Sequence, residues 1–153
     1  MDRVDEQIAI VLAALIASAF LTGAGWYEQA VLDPAWPHKP ELVRPSLGGA
    51  NRKRFWVPAN ALGSLSLVAA LWAAWPAAAA RAAVLVAFAC SIAVNAVTIG
   101  FFAPAVLRVE RDGVAPDDPA SRRWVRLSRL RTPLALGVNA ALAVAIASLA
   151  RYM

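Results

Sequence analysis

The chain is poor in the residues on which most small-protein chemistry rests. Its 153 residues include one cysteine, Cys90, and one histidine, His38. A lone cysteine cannot close an internal disulfide, which excludes a thiol oxidoreductase with its redox pair in one subunit. One Cys and one His cannot complete a zinc site, and the two axial histidines of an intramembrane haem are missing from the subunit. Cys90, set among Ala and Val, reads as core filler. His38, in a proline-rich loop, reads as a solvated or hydrogen-bonded side chain. No metal and no cofactor are expected.

Charge is scarce too. Only 16% of the residues are charged, against 60% apolar. Its spacing decides the class. Nothing is charged between Glu6 and Glu28, Arg54 and Arg81, Arg81 and Arg108, or Arg131 and Arg151. Each gap matches the roughly 20 apolar residues that a membrane helix needs. The expected architecture is a single all-α transmembrane domain over residues 1–153, an up-down four-helix bundle with spans near 8–27, 57–80, 82–105 and 132–150. A soluble enzyme, a nucleic-acid binder and a disordered chain are excluded. The formal net charge of +5, which in a soluble protein would suggest nucleic acid, is here a statement about topology.

Four spans place the first and third loops on one side of the bilayer. The first carries Lys39, Arg44, Arg52, Lys53 and Arg54; the third carries Arg108, Arg111, Arg122, Arg123, Arg126, Arg129 and Arg131. The opposite side has only Arg3, Arg81 and Arg151. The positive-inside rule then predicts cytoplasmic long loops and both termini outside, in a multi-pass protein of the cell (inner) membrane. The N-terminal segment is net acidic, the wrong sign for a signal peptide, so the first apolar run reads as a retained helix despite the small residues Gly23-Ala24-Gly25.

The first loop holds Pro34, Pro37, Pro40 and Pro45, then Gly48-Gly49, and is expected to be a structured lid of turns and extended segments. Pro58 suits the first turn of span two. Arg81 is expected in a tight second connection, and span three ends near Pro104. Asp118-Pro119 reads as an N-cap and first-turn proline, opening a basic amphipathic helix that runs to about Arg131. One face of that helix carries Trp124, Leu127, Ser128 and Arg131. Arg122, Arg123, Arg126 and Arg129 spread over the rest, which suits a helix lying on anionic lipid. Trp124 and Arg131 are alternatively the cap of a pocket.

Polar residues within spans are costly unless paired. Here they gather at the long-loop end: Tyr27 and Glu28 close span one, Asn60 opens span two, Asn95 and Thr98 share a face of span three with Phe102 one turn on, and Asn139 follows Arg131 in span four. Asn and Thr often serve only as interhelical hydrogen-bond glue. Glu28 and Arg131 either snorkel into water or form an inward ion pair. Trp26, Trp36, Trp56 and Trp124 suit an aromatic belt at the membrane boundary.

The run Asn95-Ala96-Val97-Thr98-Ile99-Gly100-Phe101-Phe102-Ala103-Pro104, followed by Trp124 and Arg131 before an apolar helix, resembles the anthrone oxygenase-like family of small four-helix membrane proteins. Gly25-Trp26-Tyr27-Glu28 with Pro34 and Trp36 is similar to that family's first-helix end. Ser128 stands where the family often carries His or Asn. Most members are uncharacterised bacterial proteins. The resemblance implies oxidation of an aromatic anthrone by dioxygen without metal or flavin. Glu28 would be the general base, Arg131 and Asn95 the oxyanion stabilisers, and Trp26, Trp36, Phe102 and Trp124 the apolar slot. Tyr27, Asn60, Thr98 and Asn139 complete the candidate substrate-binding residues. The expected partners are the lipid bilayer, an aromatic or lipophilic small molecule, and a second copy of the chain. A non-enzymatic accessory or oligomeric subunit is the competing expectation. A small transporter ranks behind both, since no carboxylate lies at mid-membrane.

Overall fold

The computed structural model describes residues 3–113 and 115–152. Six helices carry the fold: α1 (Arg3–Tyr27), α2 (Arg52–Ala74), α3 (Ala78–Val97), α4 (Ala103–Asp112), α5 (Pro119–Ser128) and α6 (Arg131–Leu149). Of these, α1, α2, α3 and α6 form the four-helix bundle. In cross-section α1 touches α2 and α6, and α3 touches the same two, as expected of an up-down bundle. Four helical segments are long and apolar enough to cross a membrane: Arg3–Ala35, Arg52–Ala74, Ala78–Asp112 and Pro119–Leu149.

The bundle core is made largely of alanine. Val11, Ala14, Leu67, Ala70, Ala74, Ala80, Ala83, Val84, Ala87, Ala141, Leu142 and Ala145 are buried together. Small side chains let helix backbones approach, which is how helices associate where apolar burial alone gives no drive. Gly137 of α6 shows the closeness: a Cβ there would stand 3.3 Å from the Cys90 Sγ of α3. Cys90 is partly buried against this core, as filler should be. Many of the large apolar side chains point outward instead. Leu65 is 69% and Trp72 74% exposed, a surface suited to lipid.

Two of the segments overrun the bilayer. Arg3–Ala35 spans 33 residues and Ala78–Asp112 spans 35. At 1.5 Å per residue each is about 50 Å long, against about 30 Å of hydrocarbon. The excess builds a cap at the long-loop end. Both segments are continuous because each contains one wide π turn, Glu28–Leu32 and Thr98–Phe102. Each wide turn is followed two residues later by a proline, Pro34 or Pro104. A proline ring clashes with the carbonyl four residues back. In the wide turns the N–H reaches five residues back instead, Asp33 to Glu28 and Ala103 to Thr98, and the helix passes the proline without breaking.

Several boundaries differ from expectation for local reasons. Helix α2 starts at Arg52 because the Asn51 side chain caps it, accepting from the Arg54 N–H, so Pro58 falls inside the helix rather than in its first turn. It ends at Ala74, and Arg81 lies in α3, donating to the Trp75 carbonyl at 3.2 Å, rather than in the connection. The third segment continues past Pro104 to Asp112. The Asp118-Pro119 start of α5 is as expected: Asp118 accepts from the Ser121 N–H at 2.9 Å. The first loop is a run of tight 3-10 turns, Pro40–Val43 and Pro45–Leu47.

Candidate functional site

A second, aromatic core closes the cap. Trp36, Val43, Phe102 and Trp124 are buried there, with Leu32, Val106, Val109 and Leu127 packed around them. Trp124 is the hub. Its ring meets Trp36 edge-on at 5.5 Å and Phe102 edge-on at 5.4 Å, the geometry that ring quadrupoles favour. Its indole N–H donates to the Phe102 carbonyl at 3.2 Å. Trp36 and Trp124 are therefore interior residues, not members of a boundary belt. Trp26 and Tyr27 do face outward, 55% and 66% exposed.

Beneath this roof lies a buried charge network. Arg52 Nη2 donates to Asp33 Oδ1 at 3.0 Å, with both side chains buried. The other Asp33 oxygen accepts from the Ser128 hydroxyl at 3.0 Å. Arg52 Nε lies 3.3 Å from Glu28 Oε1, at an angle that makes this an ion pair and leaves Nε without a hydrogen bond. That same Glu28 oxygen accepts from the Trp56 indole at 2.9 Å. Arg52 opens α2, where the helix dipole disfavours a cation. Two carboxylates from the end of the first segment offset that cost.

Arg131 does not pair with Glu28, the inward ion pair weighed from sequence. Arg52 takes that place. The Arg131 guanidinium lies over the Phe102 ring at 4.4 Å and near Trp124 at 5.9 Å, and its Nε donates to the Ser128 carbonyl at 3.3 Å. Such cation–π contacts suit Arg, whose flat group stacks on rings. Glu28, Asp33 and Arg52 are all close enough to act on its charge. Gln29 ties the first segment to the fourth, donating to the Ser128 carbonyl at 3.4 Å and accepting from Thr132 at 2.9 Å.

Among the described residues, the remaining candidates make no hydrogen bond to a side chain of this cluster. Asn95 donates to Ser91 at 3.0 Å, Thr98 to Val94 at 2.7 Å and Asn60 to Trp56 at 2.8 Å, each to the carbonyl one turn back on its own helix. Asn139 bridges α6 to α1, donating to the Thr22 hydroxyl at 3.1 Å, while its carbonyl oxygen is buried without a partner. Glu28, Trp36, Phe102, Trp124 and Arg131 do converge. Asp33, Arg52, Ser128 and Trp56 join them, although the sequence reading gave none of these four a place in the site.

Two open clefts lie elsewhere, one of about 610 Å³ along α5 and one of about 260 Å³ at the short-loop end beside Arg3 and Pro76. Among the described residues no group of three or more His, Cys, Asp and Glu is placed to hold a metal ion.

No protein-family model, curated protein or solved structure matches the chain.

Proposed function

We propose that the chain is a multi-pass membrane protein whose long connections face the cytoplasm and whose cap binds a lipophilic aromatic molecule between Glu28 and Arg131. One observation carries the reading. Glu28 satisfies Arg52 and Trp56 with the single oxygen Oε1, and among the described residues Oε2 has no partner. Arg131, held over Phe102 and near Trp124, supplies a cation at the same end of the bundle.

A carboxylate and a guanidinium at an aromatic core suit a substrate whose acidic carbon is conjugated with a carbonyl, as in anthrone. Glu28 would accept the carbon-bound proton, and Arg131 would hold the resulting oxyanion. Dioxygen then adds to that carbon; one oxygen atom stays as the new carbonyl, and the other leaves as water with the two hydrogens that the carbon gave up. This is the cofactor-independent oxygenation implied by the sequence resemblance. The outcome to test is turnover of anthrone by detergent-purified protein. Glu28→Gln and Arg131→Ala are expected to abolish it while the protein still inserts and folds; wild-type turnover in both variants ends the reading.

The burial of Trp36, Phe102 and Trp124 against one another favours a second reading, a non-enzymatic accessory or oligomeric subunit. A stable partner protein in mild detergent, with no anthrone turnover and no aromatic ligand by native mass spectrometry, would support it. Orientation rests on the excess of Lys and Arg in the long connections over Arg3, Arg81 and Arg151. A C-terminal reporter found in the cytoplasm would reverse it.

A further inference from the structure

Helix α5 turns Ser121, Trp124 and Ser128 inward and leaves Arg122, Arg123, Arg126 and Arg129 exposed. Arg122, Arg123 and Arg126 line one cleft with Pro119 and Leu127, of about 610 Å³. Among the described residues none of these three guanidiniums has an acidic partner. Asp118, the neighbouring acid in sequence, is committed to the helix cap through the Ser121 N–H and hydroxyl, at 2.9 and 3.2 Å.

This arrangement works against the helix by itself. Arg122 and Arg126, one turn apart, repel each other. Arg122 and Arg123 also stand near the N-terminal end of the helix dipole, where a cation is disfavoured and an anion welcome. Other arginines of this chain are matched: Arg52 meets Asp33 and Glu28, and Arg111 meets Asp112. The unmatched cluster is therefore complementary to an anion from outside the chain. Its place identifies the source. Helix α5 opens the segment Pro119–Leu149, long and apolar enough to cross a membrane, and only two residues separate it from α6, so the arginine face lies at headgroup level. Pro119 and Leu127 add an apolar border to the cleft, suited to the glycerol and upper acyl region of a lipid rather than to a free ion.

We infer that the α5 cleft is a binding site for one anionic phospholipid, with Arg122, Arg123 and Arg126 on the headgroup phosphate. Guanidinium groups take phosphate oxygens in paired hydrogen bonds, which a diffuse basic surface does not require. The site is separate from the Glu28–Arg131 cluster and stands whether or not that cluster is catalytic.

The test is native mass spectrometry of the full chain in detergent, titrated with phosphatidylglycerol, phosphatidylcholine or inorganic phosphate. One phosphatidylglycerol should be retained at least tenfold more tightly than phosphatidylcholine, and millimolar phosphate should not displace it. Arg122→Gln/Arg123→Gln/Arg126→Gln should lose that preference. A control with the same charge change, Arg54→Gln/Arg108→Gln/Arg129→Gln, should keep it. All six side chains are on exposed positions, and the single variant Arg123→Gln, expected to weaken retention severalfold, guards against misfolding of the triple variant. Equal retention of both lipids, equal loss in the control, or displacement by free phosphate would each overturn the inference.

Discussion

Arg52 and Asp33 form a buried ion pair, Nη2 to Oδ1 at 3.0 Å, between the start of α2 and the end of the first helical segment. The pair fixes the first loop at both ends. Removing one partner strands the other in a dry environment, at a typical cost of about 3–5 kcal/mol. Asp33→Asn and Arg52→Gln should each lower the thermal midpoint of the detergent-solubilised protein strongly. Asp33→Asn/Arg52→Gln should lose clearly less than the sum of the single losses, because both charges are gone together. Additive losses would show that the two side chains act independently.

Neither residue stood out in the sequence, and the reason is geometric. Glu28 and Asp33 are five apart, about 140° round an α-helix and so on different faces. The π turn between them brings both carboxylates to Arg52, and nothing in composition marks a π turn except the proline that follows. Arg52 looked like one more positive charge of a long loop. The four spans were legible because uncharged gaps of membrane length have few other uses. The α5 start was legible because Asp118-Pro119 is a local signal needing no tertiary partner. Asn60, Asn95 and Thr98 illustrate the converse. Polar atoms in an apolar helix look destined for a site, yet each is satisfied by the carbonyl one turn back on its own helix.

Trp124 should tolerate change in graded fashion. Trp124→Phe keeps much of the contact with Trp36 and Phe102 but loses the hydrogen bond to the Phe102 carbonyl, about 1 kcal/mol. Trp124→Ala empties the centre of the cap and should cost about 3–5 kcal/mol. Thermal unfolding gives the ranking, and the near-ultraviolet circular dichroism of the coupled rings should collapse only in the alanine variant. Equal effects of the two substitutions would remove Trp124 from the role of packing hub.

Asn139 separates interhelical glue from function. Its amide gives one hydrogen bond to Thr22, and bonds of this kind average about 0.6 kcal/mol in membranes. Its carbonyl oxygen is buried without a partner, which costs at least as much, and Thr22 keeps a second bond to the Ser18 carbonyl at 2.9 Å. Asn139→Leu should therefore leave stability within about 1 kcal/mol of wild type, or raise it, since both unfavourable and favourable terms disappear with the amide. A large loss on thermal unfolding would mean that the amide contributes more than this single bond.

The first loop depends on one glycine more than on its neighbour. Gly48 has φ +83°, so Gly48→Ala places a side chain in a left-handed conformation at a cost near 1 kcal/mol, with open space around it. Gly49 has no such conformation, but a Cβ there would run into the Glu41 carbonyl oxygen and stand 2.8 Å from the Arg44 nitrogen. These are backbone atoms and cannot swing aside. The turn is closed by the Gly49 N–H on the Arg44 carbonyl at 3.0 Å and the Ala50 N–H on the Leu42 carbonyl at 2.8 Å. It holds Val43 in the aromatic core beside Trp36. Gly49→Ala must open that turn and lift Val43, whereas Gly48→Ala need not. Limited proteolysis of the detergent-solubilised protein should therefore cut the first loop of Gly49→Ala well before that of Gly48→Ala or wild type. Equal resistance in all three would mean that the loop can rearrange around a methyl group without leaving the cap.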